Sequence, residues 1–407
     1  MKIDPKTHGW MTAPETLQVM AALGEARFVG GAVRNALLGV PVMDIDIAVP
    51  MPPSETLAHL TNHGIKVIAT GLDHGTVTAI AGTHAFEITS LRRDVETDGR
   101  HAVIAFTDDW AEDAARRDFT INALYAEADG QIHDYATGVE DLIAGKVRFM
   151  GDAATRIAED YLRVLRLFRF HAWYGKGDID AEGLRAAAAA KDKLKTLSAE
   201  RIAKEMLRLL EAGNPAPVLR VMAATGILSE LLPGALQLPR LARLAEIDVD
   251  NQYVRDPVLR LAALLPDDSD NAHAAADALK LSNADRTRLE QALNGERIKA
   301  QLSAKEARRL LYRIGAPRFR DKVFLAWAGA RRAAPALQWR MLLDMADNWQ
   351  RPRFPLTGMD VMQAGVEQGP DVGRLLARVE DWWIGTDFAA DEGALRGKLA
   401  EVLRDGA

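Results

Sequence analysis

Paired glycines between a strand-like run and a helix-like run, with two aspartates starting ten residues after Arg34, constrain this chain more than any other feature. Phe28-Val29-Gly30-Gly31-Ala32-Val33-Arg34 reads as a strand ending in a turn, then a helix predicted over Ala32 to Leu38 and closed by Gly39. Glycines let backbone N–H groups approach an anion closely, a helix start adds favourable partial charge, and Arg34 supplies a bidentate donor fork. A glycine pair alone is more often only a turn. The segment Asp44-Ile45-Asp46-Ile47-Ala48-Val49 adds the missing half. Strand residues i and i+2 share a face, so Asp44 and Asp46 project together while Ile45 and Ile47 point towards a core. Like charges on one face repel unless a cation lies between them, and Mg²⁺ bound by one or two carboxylates plus substrate phosphates suits this pair. An isolated pair would read as a solvated edge; beside a phosphate turn it reads as metal ligands.

Two further constellations follow. In Ala115-Arg116-Arg117-Asp118-Phe119-Thr120-Ile121-Asn122, the spacing of Asp118 and Asn122 predicts one helical face presenting a carboxylate and an amide to ribose hydroxyls, with Arg117 on phosphate. An ordinary helix start with an ion pair has the same residues. In Glu159-Asp160-Tyr161-Leu162-Arg163-Val164-Leu165-Arg166-Leu167-Phe168-Arg169, Asp160 and Arg163 are predicted as neighbours on a helix, with Leu162, Leu165 and Phe168 buried opposite. A surface ion pair is the default reading. The pair also matches a nucleobase edge: the carboxylate accepts from an exocyclic amine and the guanidinium donates to an acceptor beside it. Cytosine and adenine offer that edge, whereas uracil and guanine would leave polar groups unpaired at a cost of roughly 1 to 3 kcal/mol.

These motifs resemble the class II CCA-adding enzymes and bacterial poly(A) polymerases of the polymerase β-like nucleotidyltransferase superfamily. The family's first motif is similar to Gly30-Gly31-x-x-Arg34 with Asp44 and Asp46, except that Asn35 stands where an Asp is usual; altered local hydrogen bonding is expected there. The resemblance implies nucleotide contacts from Gly30, Gly31, Arg34, Arg117, Asp118, Asn122, Asp160, Arg163, Arg166 and Arg169. It also implies a third strand carboxylate, for which Glu87 is the candidate and a surface strand residue the alternative. Catalysis is thus assigned to Asp44, Asp46 and Glu87, the metal to Asp44 and Asp46, and the cofactor is Mg²⁺. A mobile loop, roughly Arg92 to Val103, is expected to help switch from CTP to ATP. Ser198-Ala199-Glu200-Arg201-Ile202-Ala203-Lys204-Glu205 resembles a bracing motif with Ser198 as N-cap and no direct chemistry. The implied activity is addition of C, C and A to the 3′ end of tRNA from CTP and ATP. Poly(A) polymerase, CC-only or A-only enzymes and a noncatalytic RNA-binding homologue remain alternatives. The stretch Gly71-Leu72-Asp73-His74-Gly75-Thr76-Val77-Thr78 favours CCA addition, and retention of both carboxylates and the Asp160 and Arg163 pair disfavours the noncatalytic reading.

A chain of 407 residues, 48% hydrophobic, exceeds what one core usually organises. Strand composition recurs only before residue 150, in runs such as Arg27-Phe28-Val29, Gly75 to Ile80 and Ala85 to Thr89. The expected class is α+β: a small mixed-sheet head (1–150), a helical neck with the base template (151–213), and a helical body and tail for tRNA (214–407). Absence of cysteine excludes thiolate metal sites and fits a reducing compartment. A polar start and no apolar run of membrane-spanning length make cytoplasm the expected location. Net charge is −6, yet Arg297 to Arg332 holds eleven Lys or Arg against Glu306 and Asp321. Within it Arg308, Arg309, Arg313, Arg318 and Arg320 read either as a solvated helical face or as an RNA-contact surface.

Overall fold

Strand pairing in the first part of the chain is governed by where apolar residues alternate and where they do not. In a computed structural model, which describes residues 1–72, 75–98, 101–295, 297–330 and 335–405, and their side chains except 70, 94–98, 101–104 and 405, the head is a seven-stranded mixed sheet. Its strands are β1 (Arg27–Val29), β2 (Ile45–Val49), β3 (Lys66–Gly71), β4 (Thr76–Ala81), β5 (His84–Ser90), β8 (Leu124–Ala126) and β9 (Ile132–Asp134), in the order β3-β4-β5-β2-β1-β8-β9, and β6 (Arg92–Asp98) and β7 (His101–Phe106) form a separate hairpin. Within the seven-stranded sheet β2 and β5 pair in parallel and the other neighbours antiparallel. The parallel register sets Asp46 beside Glu87 and Ile47 beside Ile88, so carboxylates share one face and isoleucines the other. Ile47 and Ile88 are accordingly buried.

The strand expectations hold within a residue or two. The expected loop from Arg92 to Val103 differs: its described residues pair as β6 and β7, with a register shift between Asp94 and Glu96. The tip residues Gly99 and Arg100 lie outside the described residues. Arg92, Arg93, Asp94, Glu96 and Asp98 left no apolar alternation to read in the stretch. β8 and β9 escaped notice because Leu124, Tyr125 and Ala126 are all buried, leaving no two-residue period to read.

Helices carry the remaining site residues. They are α1 (Gly31–Leu37), α2 (Pro53–Asn62), which follows β2, α3 (Trp110–Ala115), α4 (Ala153–Glu159), α5 (Leu162–Tyr174) and α6 (Ala199–Leu210). A buried cluster of Val29, Ala48, Leu91, Trp110, Ala114, Ala123, Tyr125 and Met150 binds α3 to the sheet. Along α5 the apolar positions Leu162, Leu165 and Phe168 are buried, as the spacing predicts. The chain divides into two units: Met1–Pro233 with Ala278–Lys280, and Gly234–Asp277 with Leu281–Ala407. In the second unit, which also holds α8 (Ala316–Ala328), Tyr312 of α7 (Ala304–Ile314) and Val379 and Trp383 of α9 (Pro370–Gly385) belong to one buried cluster with Val361, Leu395 and Leu399.

Candidate active site

The turn at Gly30 requires glycine, because its φ of +61° lies where side chains are disfavoured. A Cβ there would meet the backbone carbonyl oxygen of Asn122 at 3.5 Å and Arg117 Nη1 at 3.7 Å, so the turn lies close to both the Asn122 main chain and a guanidinium. A Cβ on Gly31 would lie 3.7 Å from Arg34 Nη2 and 4.0 Å from Asp46 Oδ2. The α1 helix has only seven residues, so neighbouring arginines supply more of the anion attraction than its dipole.

Arg34 is 7% exposed and has only uncharged partners. Its Nη1 donates to Asn122 Oδ1, its Nη2 donates to Tyr174 OH at 2.9 Å and to Asn35 Oδ1 at 3.3 Å, and its Nε is buried without a partner. The guanidinium carbon lies 4.2 Å from the Tyr174 ring centroid and 5.3 Å from that of Phe170. Burial lowers its pKa. A buried cation with no carboxylate in hydrogen-bond contact among the described residues is prepared for an anionic ligand. Asn35 also explains its own departure from the usual Asp: Nδ2 donates to Pro41 O at 3.2 Å, a bond that a carboxylate cannot make.

Asp46 is half-buried and its pKa is pushed up to about 6, first by burial, then by the charges of Glu87 and Asp44. Asp44, just before β2, and Glu87 are exposed. Among the described residues no three His, Cys, Asp or Glu side chains close into a metal cage. Asp46 lines a cavity suited to phosphate and Asp44, off its wall, adds a second charge that disfavours ionisation of the first; such a pair fits a divalent cation completed by substrate oxygens. Glu87 contributes charge beside that pair.

Asp118 and Asn122 are not on an α-helical face. Asp118 follows α3, and Thr120–Asn122 is a single 3₁₀ turn. Phe119 N bonds to Asp118 Oδ1 at 2.9 Å and competes with continued α-helix. The amide of Asn122 reaches the same oxygen at 2.9 Å, and Arg166 donates to Oδ2 from Nε at 2.7 Å. Burial would raise the Asp118 pKa, but Arg166 and these hydrogen bonds hold it below the usual range. A continuous polar chain thus runs Arg34, Asn122, Asp118, Arg166.

Asp160 and Arg163 also depart from expectation. The predicted helix breaks at Asp160, whose φ of −154° and ψ of 108° are extended, and its Oδ1 accepts from Leu162 N at 3.1 Å at the start of α5. Arg201 Nη2 donates to Asp160 Oδ2 at 2.7 Å. Arg163 donates through Nη1 to Glu159 and, at 2.7 Å, to Arg156 O. The two residues therefore do not pair with each other; each is held by other groups, because the break turns Asp160 away from helical spacing. Both nevertheless line one cavity of about 480 Å³ with Gly30, Gly31, Arg34, Asp46, Arg117, Asp118, Asn122 and Arg166. Arg169 is not on its wall; it bonds Glu205 and stacks 4.2 Å from the Phe170 centroid. The wall also includes Arg116, Phe170 and Arg201, which sequence reasoning quoted but left without roles. The Arg116-Arg117 pair and the charges after Ser198 were their signal. Ser198 occupies the N-cap of α6 without a side-chain capping bond.

Comparison with known proteins agrees with this geometry. The domain described as "Poly A polymerase head domain" matches residues 26–148, and one described as "Probable RNA and SrmB- binding site of polymerase A" matches residues 178–238. The Homo sapiens protein named CCA tRNA nucleotidyltransferase 1, mitochondrial, is 34% identical over 91% of this chain and 85% of its own length. The chain belongs to the class II CCA-adding and poly(A) polymerase family. Another member, a CCA-adding enzyme of Latilactobacillus sakei, is 30% identical over 89% of this chain and 90% of its own. A solved CCA-adding enzyme of Bacillus stearothermophilus, in complex with CTP, superposes with a TM-score of 0.77 at 25% identity, covering 96% of this chain and 97% of that one.

In this family member the basic stretch of the second unit is less free than its local charge suggests. Arg308 pairs with Asp387, Arg313 with Asp381 at 3.1 Å and Arg320 with Asp347. Arg309 donates to Gly385 O at 2.8 Å at the end of α9, and Arg318 to Gln291 O at 3.1 Å. Three of the five arginines thus meet aspartates from later in the chain, two on helices and Asp387 in the turn after α9, and two keep their charge against neutral carbonyls. Arg331 and Arg332 lie outside the described residues.

Proposed function

We propose that this protein completes tRNA 3′ ends, adding C, C and A from CTP and ATP without a nucleic-acid template and releasing pyrophosphate. The observation that carries this reading is one cavity lined together by the phosphate turn, Asp46, Asp160 and Arg163. The tRNA 3′-hydroxyl attacks the α-phosphorus of the nucleotide, and pyrophosphate leaves. Arg34 and Arg117 neutralise the triphosphate, and Gly30 and Gly31 let it lie against the backbone. The chain through Asn122 and Asp118 orients the sugar. Asp160 accepts from the exocyclic amine of C or A while Arg163 donates to the adjacent ring acceptor. Arg166 ties α5 to Asp118 after α3, and Arg169 ties it to Glu205 on α6. When bound by Asp44 and Asp46, Mg²⁺ supplies Lewis-acid charge for the departing phosphates and acidifies the attacking hydroxyl.

Purified protein incubated with tRNA lacking its 3′ end and each labelled nucleotide is expected to add two C and one A and then stop. A long A tail would instead assign it as a poly(A) polymerase, and arrest after CC, or addition of A alone, would narrow the activity. The stretch bearing on this choice includes Asp73 and His74, which lie outside the described residues. Among the described residues no helix is long and apolar enough to cross a membrane, and the cysteine-free chain fits a reducing compartment such as cytoplasm.

The basic surface of α7 and α8 is the proposed contact for the tRNA backbone, with Arg309 and Arg318 carrying the net charge. Replacing both with Ala is expected to make the log–log salt slope of tRNA binding shallower by about 1.5, at roughly 0.7 to 0.9 per lost phosphate contact. Replacing Arg308, Arg313 and Arg320, whose charges are matched by aspartates, should change it less. An unaltered slope in the first variant would remove this surface from the tRNA footprint.

A further inference from the structure

The wall of the cavity rests on a carboxylate that does not line it. Asp113, on α3, is 1% exposed. Its Oδ1 accepts from Arg116 Nε at 2.8 Å, Arg116 Nη2 at 2.5 Å and Arg92 N at 3.2 Å. Its Oδ2 accepts from Arg117 Nε at 3.2 Å, Arg117 Nη2 at 2.9 Å and Tyr125 OH at 2.7 Å. Tyr125 OH in turn accepts from Arg117 Nε at 3.0 Å. Each arginine is therefore gripped along its Nε and Nη2 edge, and the fork geometry leaves Nη1 on the other side. For Arg117 that Nη1 faces the Gly30 turn.

We propose that Asp113 is a positioning residue for nucleotide binding: it locks the Arg116 and Arg117 guanidinium planes so that their remaining N–H groups meet the triphosphate. The proposal rests on the reading that this cavity takes a nucleoside triphosphate. Free arginine side chains would lose rotamer freedom on meeting phosphate, and the buried carboxylate imposes that loss during folding instead. Burial alone would raise the pKa of Asp113, yet Arg117 and Arg116 hold it at about 2, so the brace stays ionised at neutral pH. Tyr125 completes the brace from β8, and its ring packs edge-on against Trp110 at 5.4 Å between centroids. The helix bearing Asp113 is therefore tied to the sheet by apolar contact as well as by charge. The Arg92 N–H on the same carboxylate roots the β6–β7 hairpin at this point.

The test compares wild-type protein with Asp113→Asn, which keeps shape and removes charge, and with Tyr125→Phe, which removes only the hydroxyl. Equilibrium binding of CTP without tRNA, by calorimetry, is read beside KM and kcat for CTP on tRNA and beside thermal melting. Asp113→Asn is expected to weaken CTP binding and raise KM roughly tenfold or more, the effect of losing about one charge-assisted hydrogen bond, with kcat changed only a few-fold. Tyr125→Phe should move Kd and KM the same way by less. A lowered melting temperature with Kd and KM unchanged would overturn the proposal and leave Asp113 as structural glue. Should Asp113→Asn fail to fold, Tyr125→Phe decides by the same two constants. A wild-type protein that binds CTP through this brace but extends no tRNA would sink the proposed reaction and leave the brace standing.

Discussion

Asp46→Ala is expected to lower nucleotide incorporation into tRNA by about a thousandfold or more, with the melting temperature unchanged or raised. Several kcal/mol of transition-state charge stabilisation depend on the cation that this carboxylate helps hold, and each 1.36 kcal/mol is a factor of ten in rate. Folding does not depend on it in the same way. Among the described residues Asp46 has no hydrogen bond or ion pair, and it is half-buried, with burial first and then the charges of Glu87 and Asp44 raising its pKa to about 6. Removing it relieves repulsion and leaves no donor unpaired. Asp44→Ala should behave similarly, whereas Glu87→Ala, which removes neither assigned metal ligand, should cost less. Single-turnover incorporation with saturating CTP, read beside a thermal melt, separates the two effects. Full activity in Asp46→Ala would remove the metal assignment; a collapsed melt would mean that the residue is structural.

Asp160→Ala is expected to reduce discrimination of CTP and ATP against UTP and GTP by about ten- to a hundredfold. The wild-type carboxylate makes an exocyclic carbonyl oxygen unwelcome, a penalty of roughly 1 to 3 kcal/mol that alanine no longer imposes. Selectivity does not vanish, because Arg163 still donates to the ring position next to it. The same substitution removes the bond to Leu162 N and the pair with Arg201, so a stability loss of about 1 kcal/mol accompanies it. Ratios of kcat/KM for CTP over UTP on tRNA lacking its end are independent of that loss. An unchanged ratio would show that the base is selected elsewhere.

Much of the site was legible because its chemistry is written at short range. The two-residue period set Asp46 on the strand face opposite buried Ile47, although β2 begins only after Asp44, and Gly30 with its positive φ is required by a turn that precedes a helix. Leu162, Leu165 and Phe168 predicted the buried side of α5 by the same logic. The failures share a cause. Glu159-Asp160-Tyr161-Leu162 contains no glycine or proline, so nothing in it announced that the chain would break at Asp160. Phe119-Thr120-Ile121-Asn122 looked helical because four-residue spacing fits a helix and a capped 3₁₀ turn alike. Asp113 went unnoticed as an acidic residue three positions before Arg116.

The sequence by itself determined which chemical groups this protein has and which of them local geometry gathers: a phosphate turn, paired carboxylates, an arginine row and an acceptor beside a donor. Only the tertiary structure decided how those charges are shared out. Arg308, Arg313 and Arg320 meet Asp387, Asp381 and Asp347 from distant parts of the chain, Asp160 turns to Arg201, and Arg34 is left buried with neutral hydrogen-bond partners. Coulomb attraction and desolvation depend on distance and burial in space, so no count along the chain shows which cation is already neutralised. That difference separates the arginines that serve as braces from the buried, unneutralised Arg34 that awaits a triphosphate.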